Sequence, residues 1–234
     1  MVIAYVTARP PWGVELLADQ LELSGLAVCL NGAVTYDLER REVIERRTFS
    51  REGYKELITG LRECVPGITF VVQQGNGTLP DFHERQFPPL WADWSGEPYP
   101  RIECALTVAG DSVAKIIAHH PKHGADALRN LITSSVVNRA DISQSDPRIV
   151  ELAPVGVSKA SGVVTLSRSL GIALEDVVAV GDMPNDIPML SIAGHSVGVA
   201  NAHPDVLAVV DEVTASNDDD GVAIFLERLL ARTC

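Results

Sequence analysis

An α/β protein with a parallel sheet, interrupted by an α+β block, is the fold class that this sequence predicts. Three observations predict it. Both ends of the chain alternate short apolar runs with amphipathic stretches of helical spacing, the pattern of strands and crossover helices in a sheet covered on both faces. The middle reads instead as a hairpin, a helix and scattered short strands, so it has the character of an insertion. Finally, turns rich in hydroxyl, amide and carboxylate groups directly follow apolar runs at both ends, and strand ends are where open parallel sheets bind ligands.

At the N-terminus, Val2 to Val6 is an apolar run suited to a buried parallel strand. Thr7-Ala8-Arg9-Pro10-Pro11 is a turn whose prolines can open a helix. Val14, Leu17, Ala18 and Leu21 recur at helical spacing, with Gly25 as the expected stop. Ala27 to Leu30 reads as a second strand, ended by Asn31-Gly32. At the other end, Ser158 can cap a helix with Val163, Leu166 and Leu170 on its apolar face. Val177 to Val180 and Ser196 to Val199 read as strands, Val209 to Val213 as an edge strand, and Val222, Leu226, Leu229 and Leu230 mark a last helix.

Between these ends the sequence predicts a hairpin of Val34–Asp37 with Glu42–Phe49, a helix over 51–64 and a strand over 68–73. Loop follows over most of 75–100, then a helix near 111–119 and short strands through Leu152. The expected division is therefore a core of residues 1–34 and 156–234 enclosing an α+β domain over 35–155.

Bulk properties narrow the function. At 46% hydrophobic and 21% charged residues, the chain reads as soluble and globular. No apolar run approaches the roughly 20 residues of a membrane span. A formal charge of −12 argues against nucleic acid as a partner, since no basic stripe is present to displace counterions. Four scattered cysteines with no CxxC pair suggest free thiols in a reducing cytoplasm.

The sharpest chemical signal is Gly181-Asp182-Met183-Pro184-Asn185-Asp186, directly after an apolar run. Two carboxylates and an amide on one tight loop suit Mg²⁺, which takes one or two carboxylates, waters and phosphate oxygens. An acidic turn capping the next helix is the plainer alternative. Lys159 starts a helix, where its charge and the helix end could both face a phosphate, or it is a solvated surface lysine. Thr7 and Arg9 could hold phosphate oxygens at a strand end, or form an ordinary turn. Ala118-His119-His120-Pro121-Lys122-His123 matches no zinc spacing and reads as a polar helix end. Trp91 and Trp94 pack the central loop or close over a ligand.

Taken together, these motifs resemble the haloacid dehalogenase-like (HAD) phosphatases, of the Cof-type subgroup. Thr7-Ala8-Arg9-Pro10 resembles that family's second motif, Lys159 the lysine of its third, and Gly181 to Asp186 its fourth, GDxxND. Asn31-Gly32-Ala33 matches the subgroup's NGA, and Asp220-Gly221-Val222-Ala223 its C-terminal end. The resemblance implies a HAD-like Rossmannoid core with an inserted cap and Mg²⁺-dependent hydrolysis of a small phosphate monoester. Sugar phosphates and related metabolites are the implied partners, and the implied route runs through an aspartyl-phosphate. It assigns Lys159, Thr7 and Asp182 to catalysis. Phosphate or substrate falls to Thr7, Ala8, Arg9, Asn31, Gly32, Lys159 and Asn185, and the metal to Asp182, Asp186 and Asn185.

The family's first motif, DxDGT, has no room ahead of Thr7. Asp218-Asp219-Asp220-Gly221 follows a polar stretch rather than an apolar run and reads as a helix start. The expectation is that the nucleophilic aspartate and its mid-sheet strand belong to sequence upstream of Met1, and that the gap favours self-association. A phosphate-binding relative without turnover, and a phosphomutase-like sugar-phosphate enzyme, are the alternatives.

Overall fold

The structure, a computed structural model, describes residues 1–76, 81–89, 100–108 and 112–233. These form two compact units, 1–158 and 159–234. Trp91 and Trp94 lie outside the described residues.

The first unit opens with β1 (Ala4–Val6), α1 (Pro11–Leu21) and β2 (Leu26–Cys29). β1 and β2 are parallel, Ala4 opposite Leu26 and Val6 opposite Val28, as a strand–helix–strand crossover requires. Pro10 and Pro11 start α1 in extended and first-turn positions, where a missing N–H costs nothing. The helix stops earlier than Gly25: Glu22 turns left-handed at φ 54°, and its N–H and that of Leu23 both close on the Ala18 carbonyl. Gly25, at φ 98°, makes the turn into β2 instead.

A hairpin of β3 (Val34–Asp37) and β4 (Glu42–Arg46) continues this sheet, β3 pairing antiparallel with β2. The sheet order is β1-β2-β3-β4, so residue 34, the expected domain boundary, falls inside a sheet.

Next come α2 (Arg51–Cys64), β5 (Thr69–Gln74), β6 (Phe82–Glu84), β7 (Arg101–Ile102), β8 (Val113–His119), α3 (Ala125–Val136), β9 (Asp141–Ser143) and β10 (Ile149–Ala153). Ser50 caps α2 by accepting from the Gly53 N–H, and a Cβ on Gly53 would stand 2.8 Å from that hydroxyl. The strands form one sheet in the order β7-β6-β5-β8-β10-β9. One face of it packs Phe70, Val72, Ile116, Ala118, Val150 and Leu152 in a single cluster with Tyr54, Leu57, Ile58 and Leu61 of α2 and Leu128 and Ile132 of α3. Each such side chain contributes roughly 1.5–3 kcal/mol of burial.

Two expectations fail here. Residues 113–119 are a strand, not part of a helix, because β8 is paired on both sides, with β5 and β10. A short buried apolar run carries no periodicity to tell the two apart. His119 therefore ends a strand, and the rings of His120 and His123 stack 4.4 Å apart beyond it. The segment expected to hold only short strands contains α3, whose Ala125, Leu128, Ile132 and Val136 are buried at helical spacing.

The second unit runs α4 (Lys159–Leu170), β11 (Val178–Gly181), α5 (Ile187–Leu190), β12 (His195–Val199), α6 (Pro204–Leu207), β13 (Glu212–Thr214) and α7 (Gly221–Thr233). Its sheet, β11-β12-β13, is wholly parallel, as the alternation of apolar runs with helices predicts. Among the described residues no helix is long and apolar enough to cross a membrane.

Candidate functional site

In the second unit, Lys159 and the loop after β11 form one buried polar knot. The Lys159 ammonium is paired with Asp186 Oδ1. The other oxygen of that carboxylate, Oδ2, accepts from the backbone N–H groups of Asp182 and Met183, both at 3.0 Å. Lys159 is 7% exposed and Asp186 2%, so this ion pair is shielded from screening. Asp186 thus holds both the lysine and the loop. Gly181 makes the turn possible: a Cβ there would sit 2.6 Å from the Asp186 Cβ. Gly181→Ala is expected to lower stability by about 1–3 kcal/mol, read as a fall in the urea midpoint; an unchanged midpoint would contradict this packing.

Asp182 is exposed while its neighbour Asp186 is buried. Loss of solvent around the Asp182 carboxyl, then the charge of Asp186, push its pKa up, and Lys159 opposes them. A cation beside Asp182 would relieve that repulsion. One open carboxylate suits Mg²⁺, which completes its shell with waters and phosphate oxygens. Asp186 is already engaged through both oxygens. Asn185, on the same loop, is buried.

The N-terminal site residues assemble in the first unit. The Arg9 N–H donates to Thr7 Oγ1 at 3.1 Å. The Leu30 N–H donates to the Arg9 carbonyl at 2.9 Å, and the Asn31 N–H to the Thr7 carbonyl at 3.0 Å. These bonds pin Thr7-Ala8-Arg9 against the Leu30-Asn31-Gly32 turn. Leu30 and Asn31 stand at φ 51° and 57°, with Gly32 at 101°. Left-handed backbone at Leu30 is costly and persists only where its surroundings dictate it.

Lys115 and Glu151 at this turn, and Asp81 and His83 beside β5, are not marked by any sequence motif. Lys115 of β8 donates to the Ala8 carbonyl at 2.6 Å and to Glu151 Oε1 of β10 at 2.8 Å. Glu151 Oε2 accepts from Asn31 Nδ2 at 3.1 Å, and the same amide reaches Ser143 Oγ at 3.1 Å. Burial pushes the Glu151 carboxyl up, but Lys115 and these hydrogen bonds outweigh it and hold the pKa low. A lysine and a glutamate inside apolar strands were the available signal.

The remaining two are Asp81 and His83, both buried beside β5. Burial raises Asp81 from 3.8 to about 6 despite a hydrogen bond from Gln73, and burial lowers His83 from 6.5 to about 4. The folded chain keeps the Asp81 proton longer than the unfolded chain, so this group's stability contribution falls as pH rises from about 4 to 6. His83 behaves oppositely, because the unfolded chain binds its proton first; its contribution rises between about 4 and 6.5. The two offset each other. Asp81→Asn removes the falling limb, so its stability should climb about 3 kcal/mol more than the parent's over this range. Urea unfolding from pH 4 to 7 measures this, and parallel curves for the two proteins would refute it.

Parallel strands covered by helices, with a buried lysine paired to the acidic loop after β11, define an α/β class of protein. The chain belongs to the haloacid dehalogenase-like hydrolases, whose family model matches residues 1–226. That membership places it, by family resemblance, among phosphoric monoester hydrolases. It is 25% identical to the 5-amino-6-(5-phospho-D-ribitylamino)uracil phosphatase YwtE of Bacillus subtilis, over 99% of this chain and 87% of that protein. A haloacid dehalogenase-like hydrolase of Bacteroides thetaiotaomicron superposes with a TM-score of 0.74 at 26% identity, covering 97% of this chain and 86% of that one. Another from B. subtilis shares the fold at a TM-score of 0.84 and 21% identity, covering 98% and 88%.

Proposed function

We propose that this chain is a Mg²⁺-dependent phosphatase of small phosphate monoesters such as sugar phosphates. The observation that carries the reading is the Lys159–Asp186 pair, held on the same loop as the exposed carboxylate of Asp182. A fixed ammonium supplies positive charge where a transferring phosphoryl group needs it. Asp182 is the metal ligand in this proposal, with Asp186 orienting lysine and loop and Asn185 supporting them. Thr7, Ala8 and Arg9 bind phosphate oxygens, and Asn31 and Gly32 shape the approach to them. The metal would neutralise phosphate charge and polarise the ester. The related B. subtilis enzyme, named for a phosphorylated ribityl compound, supports a small phosphorylated metabolite as substrate. The core of 1–34 and 156–234, the cap of 35–155 and a cytoplasmic setting belong to the same proposal.

The resemblance also implies an aspartyl nucleophile. The DxDG string at 218–221 does not resemble one in its setting: Asp220 is left-handed at φ 56° and Gly221 begins α7. This observation favours a second reading, a phosphate-ligand-binding relative without turnover. Phosphate release from a panel of pentose and hexose phosphates, with MgCl₂ and with EDTA, separates the two when run beside a phosphorus NMR titration of inorganic phosphate. Release that EDTA abolishes is the result expected of a chain that carries the aspartyl nucleophile the resemblance implies. Phosphate binding without release by such a chain supports the second reading, and neither binding nor release overturns both.

A further inference from the structure

The two sheets of the first unit are joined by a closed polar circuit. Lys115 on β8 holds the Ala8 carbonyl, and Glu151 on β10 holds both Lys115 and the Asn31 amide. The Asn31 N–H returns to the carbonyl of Thr7. With Leu30 donating to Arg9, each carbonyl of Thr7-Ala8-Arg9 has a donor. Ser143 braces Asn31 from β9, and Ser145 adds a hydrogen bond to Glu151.

The face of the sheet that carries Lys115 and Glu151 mixes Val71, Ile117 and Ile149, clustered against Phe87, with the polar side chains of Thr69, Gln73, His83 and His119. Lys115 is 1% exposed and Glu151 2%. Desolvating such a pair consumes most of its attraction, and well-packed apolar residues often serve stability equally well or better. Stability alone therefore does not account for a buried pair here. What the pair does that apolar residues cannot is fix two turns at once, one of them at costly positive φ.

We propose that Lys115 and Glu151 are positioning residues for phosphate binding: from the second sheet they set the conformation of the Thr7-Ala8-Arg9 loop and of Asn31. The proposal rests on the reading of that loop as a phosphate site. It places control of phosphate affinity on strands far away in sequence. Small misplacements of binding groups are costly, so loosening the circuit weakens phosphate binding even when the fold is sound.

The test uses the full chain and two variants, with inorganic phosphate and MgCl₂ as the probe in a phosphorus NMR titration. Lys115→Met leaves a buried carboxylate and lowers both stability and affinity. The double variant Lys115→Met/Glu151→Gln removes both charges together, so net charge is kept and the stability loss is largely relieved. Its phosphate Kd should still rise about tenfold to a hundredfold, because the Ala8 carbonyl stays untethered. A double variant that recovers parent affinity along with stability shows a merely structural pair and overturns the inference, leaving the phosphate reading intact. A parent chain that binds no phosphate removes the reading itself, and the inference with it.

Discussion

Lys159→Met should destabilise the second unit by about 3–5 kcal/mol, the effect of stranding a buried carboxylate. Asp186 is 2% exposed and has one oxygen on the lysine. Without it, the loop amides of Asp182 and Met183 still neutralise part of the charge at Oδ2, but Oδ1 faces no donor of comparable strength. A carboxylate with one oxygen stranded in a buried site pulls toward solvent and loosens its hold on those amides. Faster hydrogen exchange at the Asp182 and Met183 amides, with a lower urea midpoint, is the expected signature. Lys159→Met/Asp186→Asn should lose less than the sum of its single changes, since no buried charge remains. A single-variant loss below about 1 kcal/mol would mean that the pair is solvated and outside any dry phosphate site.

The acidic loop after β11 was legible in the sequence because its parts are local, whereas its pairing with Lys159, 27 residues away, was not. Gly181 to Asp186 is one tight turn, and its glycine, amide and carboxylates name their own geometry. The parallel sheet of the second unit was legible for a related reason: apolar runs and helical spacings alternate there without interruption. Legibility failed where neighbours in sequence carry little information. β8 is a strand because β5 and β10 flank it, and nothing within its seven residues states that. The buried positions of α3 keep helical spacing, but polar residues dilute the pattern. The contact of Asn31 with Glu151 spans 120 residues. The motif named Asn31, but what holds it is a strand in another sheet, and only the folded arrangement supplies that.

That long-range contact also gives the second large effect. Lys115→Met is expected to lower the stability of the first unit by about 3–5 kcal/mol. The lysine is nearly inaccessible, and its loss leaves Glu151 with only neutral donors, Asn31 and Ser145. Its pKa, now held low by Lys115 against burial, should climb above the ordinary carboxylate range, as buried unpaired acids do. The sign of the pH effect then reverses. In the parent, the depressed pKa contributes stability above the unfolded value of 4.5, lost as acid protonates the group. In Lys115→Met the raised pKa makes the folded chain the better proton binder, so stability falls as pH rises past 4.5 toward the new value. Glu151→Gln on that background removes the titrating group and should flatten the curve while restoring most of the stability. Urea midpoints of the three proteins between pH 4 and 8 test the whole sequence of effects. Equal midpoints for Lys115→Met and the parent at pH 7 would show that solvent reaches this pair, and that the face between the two sheets is not dry.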